Sequence, residues 1–154
     1  MSFTIQSPAF HAGGSIPAEH TCDGANRSPA LTWSDPPAGT VAFSLIVHDP
    51  DAPAGDWVHW LLYDIPGTRR DLPEAVAPRP VIKDIGTQGT NDFRRPGWGG
   101  PCPPRGPAHH YRFRLLAMDA LLGLAPKLTR DALLGAVRGH VLAEASLTGT
   151  YARS

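Results

Sequence analysis

The chain has 154 residues and balances 14 Lys plus Arg against 14 Asp plus Glu, which leaves no electrostatic footprint for nucleic acid or an anionic membrane surface. Its length suits one domain spanning residues 1–154, a size that buries about two-thirds of the unfolded surface. No apolar run approaches the ~20 residues of a spanning helix, and the opening MSFTIQSPAF lacks the basic and apolar regions of a signal peptide, so a cytoplasmic protein without stable membrane insertion is expected.

The 17 prolines and 16 glycines are spread without period, which predicts short strands joined by many turns. Residues 28–33, SPALTW, form a weak strand candidate. The run 41–48, VAFSLIVH, is β-branched and apolar enough for a strand, as is 56–65, DWVHWLLYDI. Both are apolar on both faces, so they read as central strands covered on two sides. Asp49 to Gly55 join them. A second weak strand covers 81–85, VIKDI. In 109–118, HHYRFRLLAM, alternation is cleaner: His109, Tyr111, Phe113, Leu115 and Ala117 share one face, which points inward. One helix is expected, capped by Thr129, with Leu133, Leu134 and Val137 at helical spacing and Gly139 at its end. VLAEASLTGTY then returns to strand-like alternation. The elements sum to a mainly β, sandwich-like architecture with a small late helix.

Strand alternation sets His109 beside Tyr111, and on the partner strand gives Trp57, His59 and Leu61 a common face. A lone histidine in such a face is most simply a core residue bonded to a backbone carbonyl. Three inward polar groups, His59, His109 and Tyr111, are harder to satisfy in one dry core, and a ligand is then a natural partner. Asp49 and Asp51 sit in a turn stiffened by Pro50 and Pro53. Asp51 is expected to bond the turn's own amides, and Asp49 to support His59. Loop 99–111, GGPCPPRGPAHHY, has the glycines and prolines of a rigid rim that lets backbone approach a ligand. Cys22 and Cys102 lack CxxC spacing. Two reduced thiols are the plain expectation, with one bridge as the open alternative.

The blocks DPDAP at 49–53 with WVHW at 57–60, and GPCPPRG at 100–106 with HHY at 109–111, resemble the two signature blocks of the phosphatidylethanolamine-binding proteins, or Raf kinase inhibitor-like proteins. TCDGANRSPALTW at 21–33 is similar to the preceding segment of bacterial and archaeal members. The resemblance spans nearly the whole chain. It implies an antiparallel β-sandwich of Greek-key type with short peripheral helices. It also implies a pocket for phosphate-like and carboxylate-like anions built by Asp49, Pro53, Trp57, His59, Cys102, Pro103, Pro104, His109 and Tyr111. Two positions depart from the family pattern: His110, where arginine is frequent, and Trp98, where tyrosine is commoner. By the same resemblance the C-terminal helical extension of the animal proteins is not expected here, so kinase regulation transfers less directly. Bacterial relatives resemble dimers, which makes a homodimer an expectation.

The function expected is thus non-catalytic binding of small phosphorylated or carboxylated anions, with no cofactor or metal, and tighter binding of a phosphomonoester below a histidine pKa near 6.5. Modulation of a protein kinase or protease through the surface around the pocket is a related expectation. One rival is a metal site, since Asp49, His59 and His109 make two histidines and a carboxylate. The other is a hydrolase using the same groups as acid and base, although the chain has no GxSxG elbow and Cys102 stands between two prolines without an evident activating base.

Overall fold

A computed structural model describes residues 2–154. The strands are β1 (Ile5–Gln6), β2 (Leu31–Trp33), β3 (Ala42–Asp49), β4 (Trp57–Pro66), β5 (Asp71–Leu72), β6 (Val81–Ile82), β7 (Gly86–Gln88), β8 (His109–Met118) and β9 (Val141–Tyr151), with helix α1 (Arg130–Val137) before β9. A single 3-10 turn spans Ala18–His20. One sheet has six antiparallel strands in the order β6-β7-β4-β3-β8-β9, the other three in the order β1-β2-β5. The mainly β, antiparallel architecture expected from the sequence is the one observed.

All eight residues of β3 are buried, as its two-faced apolar run requires of a central strand. Phe43, Leu45 and Val47 join Ile5, Leu31, Trp33, Leu72 and the inward residues of β8 in the core between the sheets. Ala42 and Ile46 point the other way and pack with Leu133 and Val137 of α1. Thr129 caps that helix, its hydroxyl accepting from the Ala132 N–H. Gly139 follows at φ +82°, the left-handed region that a residue without Cβ enters at little cost.

The two weak strand candidates are shorter than their sequence runs. Only 31–33 of SPALTW is extended. VIKDI contributes Val81 and Ile82 to a small hairpin with β7, because Asp84 at φ +63° and Gly86 at φ +151° turn the chain back.

A second correction concerns β4. Val47 lies opposite Trp60, yet the next residue, His48, lies opposite Val58, so His59 is an extra residue in its strand. Such a bulge breaks the two-residue period and re-aims a side chain. Trp60 therefore enters the inter-sheet core, while Leu61 belongs to the helix side and does not share a face with Trp57 and His59.

Candidate functional site

Asp49 ends β3 opposite Trp57. The antiparallel register of β8, with His48 opposite Arg112, carries Tyr111 and His109 to the same end of the sheet. Pairing of β8 with β9 brings Tyr151 opposite His109, so the last residues of the chain arrive there too. Trp57 and His59 enter from β4, and the 99–106 loop closes the remaining side.

This end of the sheet holds a cavity of about 470 Å³, within the usual range for small-ligand sites. All nine residues expected from the sequence are on its wall: Asp49, Pro53, Trp57, His59, Cys102, Pro103, Pro104, His109 and Tyr111. Phe93 and Arg153 also line it, together with Ala52 and Ala54, and sequence reasoning did not single them out. Phe93 meets the rings of Trp57 and His59 edge-on, with centroids 5.5 Å apart in each case. The signal for it lay in NDF: Asn91 is buried and its Oδ1 accepts from the Phe93 N–H at 2.9 Å. That Asx turn holds residue 93 over the cavity. Arg153 has no local signal, since β9 pairing and a bridge to Arg105, both between segments far apart in sequence, place it.

The carboxylate–histidine pairing differs from the expected one. Asp49, 3% exposed, accepts from His109 Nδ1–H through Oδ2 at 2.7 Å and from the Asp51 N–H through Oδ1 at 2.8 Å. It does not bond His59. The bulge turns His59 to the 97–100 segment, where its Nδ1–H donates to the Gly99 carbonyl at 2.6 Å and the Gly99 N–H donates to the His59 carbonyl at 2.9 Å. A carbonyl can only accept, so the proton is on Nδ1 and the neutral ring keeps its lone pair on Nε2. Gly99 is required here, because a Cβ would lie 2.3 Å from Phe93 Cδ2. The backbone carbonyl partner anticipated for a plain core histidine is therefore present, in a ring that also lines the cavity.

Of the turn's two aspartates, Asp49 keeps the expected part of supporting a cavity histidine but also takes the turn bond expected of Asp51. Asp49 makes the Asx bond, whereas Asp51 reaches across to β8, where Oδ2 accepts from the His110 N–H at 2.9 Å and its ring Nδ1–H at 2.8 Å. The His110 contacts hold the Asp51 carboxyl below the usual carboxylate range. His48 stays outside the cavity, its Nδ1 paired with Asp56 on the helix side. Trp98 is core, stacked on Phe113 and edge-on to Trp60.

The cysteines are paired. Cys22 and Cys102 form a disulfide across 80 positions, which overturns the expectation of two reduced thiols. The bridge is possible because the N-terminal segment packs against the loop: the Cys22 N–H donates to the Pro101 carbonyl at 3.1 Å and the Gly100 N–H to Asn26 Oδ1 at 2.9 Å. Gly100 allows that approach, as a Cβ would lie 2.2 Å from the His20 carbonyl oxygen.

Burial is the main electrostatic influence inside. It lowers the His59 pKa below the ordinary histidine value, against opposing contributions from the Gly99 carbonyl and the Asp49 charge. It raises the Tyr111 phenol, assisted by the Asp49 charge, so this hydroxyl remains a donor across the physiological range. The Tyr111 hydroxyl is buried and has no hydrogen-bond partner in the protein, a condition that costs about 1–3 kcal/mol. The Asp49, His59 and His109 set does not form a ready metal centre. Both Asp49 oxygens are engaged by protein donors, and among the described residues no three His, Cys, Asp or Glu side chains are placed to hold an ion.

The sequence model of the phosphatidylethanolamine-binding proteins matches residues 6–152. The chain belongs to this family. A UPF0098 protein of Methanothermobacter thermautotrophicus is 43% identical over 149 residues, covering 97% of this chain and 98% of the relative. The crystal structure of Escherichia coli YbcL, described as a member of the mammalian PEBP family, superposes with a TM-score of 0.90 at 33% identity and covers 100% of both chains. A family homologue from Chlamydia trachomatis gives the same TM-score at 34% identity, covering 99% of each chain. Family membership makes this a binding protein of the phosphatidylethanolamine-binding fold. Both family departures are accommodated locally: His110 is an exposed residue holding Asp51, and Trp98 fills core volume. No helix is long and apolar enough to cross a membrane among the described residues.

Proposed function

We propose that the protein is a non-catalytic binding module whose cavity takes small phosphate-like or carboxylate-like anions. The observation that carries this reading is the buried, unpartnered hydroxyl of Tyr111, a residue that lines the cavity; it is a donor that a ligand oxygen would satisfy after a small shift of the wall. His109 donates from Nε2 when protonated, and its Nδ1 is held by Asp49. His59, kept neutral by burial, offers Nε2 as an acceptor to a hydroxyl or ammonium donor on the organic part of the ligand. An aspartate has the wrong sign for an anion site, but both Asp49 oxygens are taken by protein donors, His109 Nδ1–H and the Asp51 N–H. Trp57, Phe93 and the prolines form an apolar mouth for the organic part of the ligand.

The wall also favours binding over turnover. It carries no Ser, Thr or Lys, Cys102 is closed in a disulfide, and both Asp49 oxygens are engaged by protein donors, so no free aliphatic hydroxyl, thiol, amine or carboxylate nucleophile faces the cavity. The bridge further argues for an oxidising compartment over the cytoplasm, since reducing cytosols seldom preserve such bonds. The family's name suggests a phosphoethanolamine head group as probe. Calorimetric titration with phosphoethanolamine at pH 6 should give saturable binding to the native protein and a loss of about tenfold or more in Tyr111→Phe. Absence of binding to the native protein would overturn the reading.

A further inference from the structure

The ionisable groups on the cavity wall are Asp49, His59, His109, Tyr111 and Arg153. Among them only Arg153 carries a permanent positive charge, because guanidinium is not deprotonated in proteins. It stands at the boundary between two concavities, the main cavity and a smaller depression of about 190 Å³ that it shares with Asp23, Arg105 and Tyr151. Its backbone is fixed at that boundary, the carbonyl accepting from the Gly106 N–H at 3.1 Å and the residue bridging to Arg105. The guanidinium leans on the far side, with Nη2 3.2 Å from Asp23 Oδ1.

This contact is built to be exchanged. Both side chains are about a third exposed, the class of ion pair that contributes little. Asp23 has a closer partner in the Tyr151 hydroxyl, which donates to Oδ2 at 2.6 Å. That bond is also the main reason the Asp23 carboxyl sits below the usual range, ahead of Arg153. Asp23 thus keeps a donor, and the neighbouring charge of Arg105, when Arg153 leaves. Because Asp23 follows Cys22, which is bridged to Cys102 on the cavity wall, the resting place of the guanidinium is held in register with the cavity.

We infer that Arg153 is a specificity-determining residue which moves from Asp23 onto a ligand in the cavity and selects dianionic phosphomonoesters over monoanionic carboxylates. A guanidinium fork matches two oxygens of a phosphate or of a carboxylate alike, so the selection lies in charge: a second negative charge is what outweighs the pull of Asp23. The inference rests on the anion-binding reading above.

Phenyl phosphate and benzoate separate the charge effect from the aromatic contact, and at pH 7.5 phenyl phosphate is largely the dianion. In calorimetric titrations the native protein should bind phenyl phosphate at least about tenfold more tightly than benzoate. Arg153→Gln should remove that preference while changing benzoate affinity less than about threefold, and Arg153→Lys should restore part of it. Asp23→Asn keeps the hydrogen bond to Tyr151 and frees Arg153, so it should tighten phenyl phosphate binding; a merely structural contact would weaken it or leave it unchanged. Retained preference in Arg153→Gln, or no gain in Asp23→Asn, overturns the role of Arg153 and leaves the anion site standing. Native protein that binds neither probe overturns both.

Discussion

Opening the Cys22–Cys102 bridge should destabilise the protein substantially without unfolding it. The bridge spans 80 positions, and the chain-entropy relation assigns a closed loop of that length about 4.5 kcal/mol at 25 °C. The folded state keeps the contacts that seat the bridge: Cys22 N–H to the Pro101 carbonyl, Gly100 N–H to Asn26, and the Trp98 indole N–H donating to the His20 carbonyl at 3.2 Å. The loss therefore falls mainly on the unfolded ensemble, and at about 2–4 °C per kcal/mol for a chain of this size the midpoint should drop by about 9–18 °C. The assay is thermal unfolding followed by circular dichroism with and without a phosphine reductant, alongside thiol titration under denaturing conditions. Untreated protein should show no free thiols and reduced protein two. Two free thiols before reduction, or coincident midpoints once reduction is verified, would refute the reasoning.

Tyr111→Phe removes a buried hydroxyl that has no protein partner, so the free protein should gain about 1–3 kcal/mol in urea unfolding while its anion affinity falls; lower stability of the variant would show that the hydroxyl is satisfied. Gly99→Ala forces a methyl to within 2.3 Å of the Phe93 ring and should cost about 1–3 kcal/mol in the same assay, with neutrality counting against the packing of Phe93 over His59. Burial lowers the folded pKa of His59, so the unfolded chain takes up this proton first as pH falls. The contribution is intact above about 6.5 and is lost by up to about 1.4 kcal/mol per unit below it, until the lowered folded pKa is reached. Stability measured from pH 8 to 5 should show this decline in the native protein and a shallower one in His59→Gln; parallel curves would mean His59 titrates normally when folded.

The parts of the fold legible in the sequence are those with long, periodic runs. β8 spans His109–Met118, the bounds its alternation predicts, and β3 and β4 differ from their apolar runs by one residue at each end. Of the second sheet only β2, within SPALTW, was visible, because β1 and β5 are two residues long and carry no period to detect. The expected wall residues do share one cavity, but their internal wiring was not legible. One extra residue at the His48 register is invisible to alternation counting, and it is what transfers Asp49 from His59 to His109. The Cys22–Cys102 pairing and the arrival of Arg153 depend on contacts across 80 positions in the first case and on β9 pairing in the second. Neither leaves a local trace.

The most direct test of the anion site is a crystal structure of the protein soaked with phenyl phosphate. The phosphate should lie in the cavity with an oxygen accepting from the Tyr111 hydroxyl and the phenyl ring against Trp57 and Phe93. A phosphate bound only outside this cavity, with Tyr111 still unpartnered, would contradict the account.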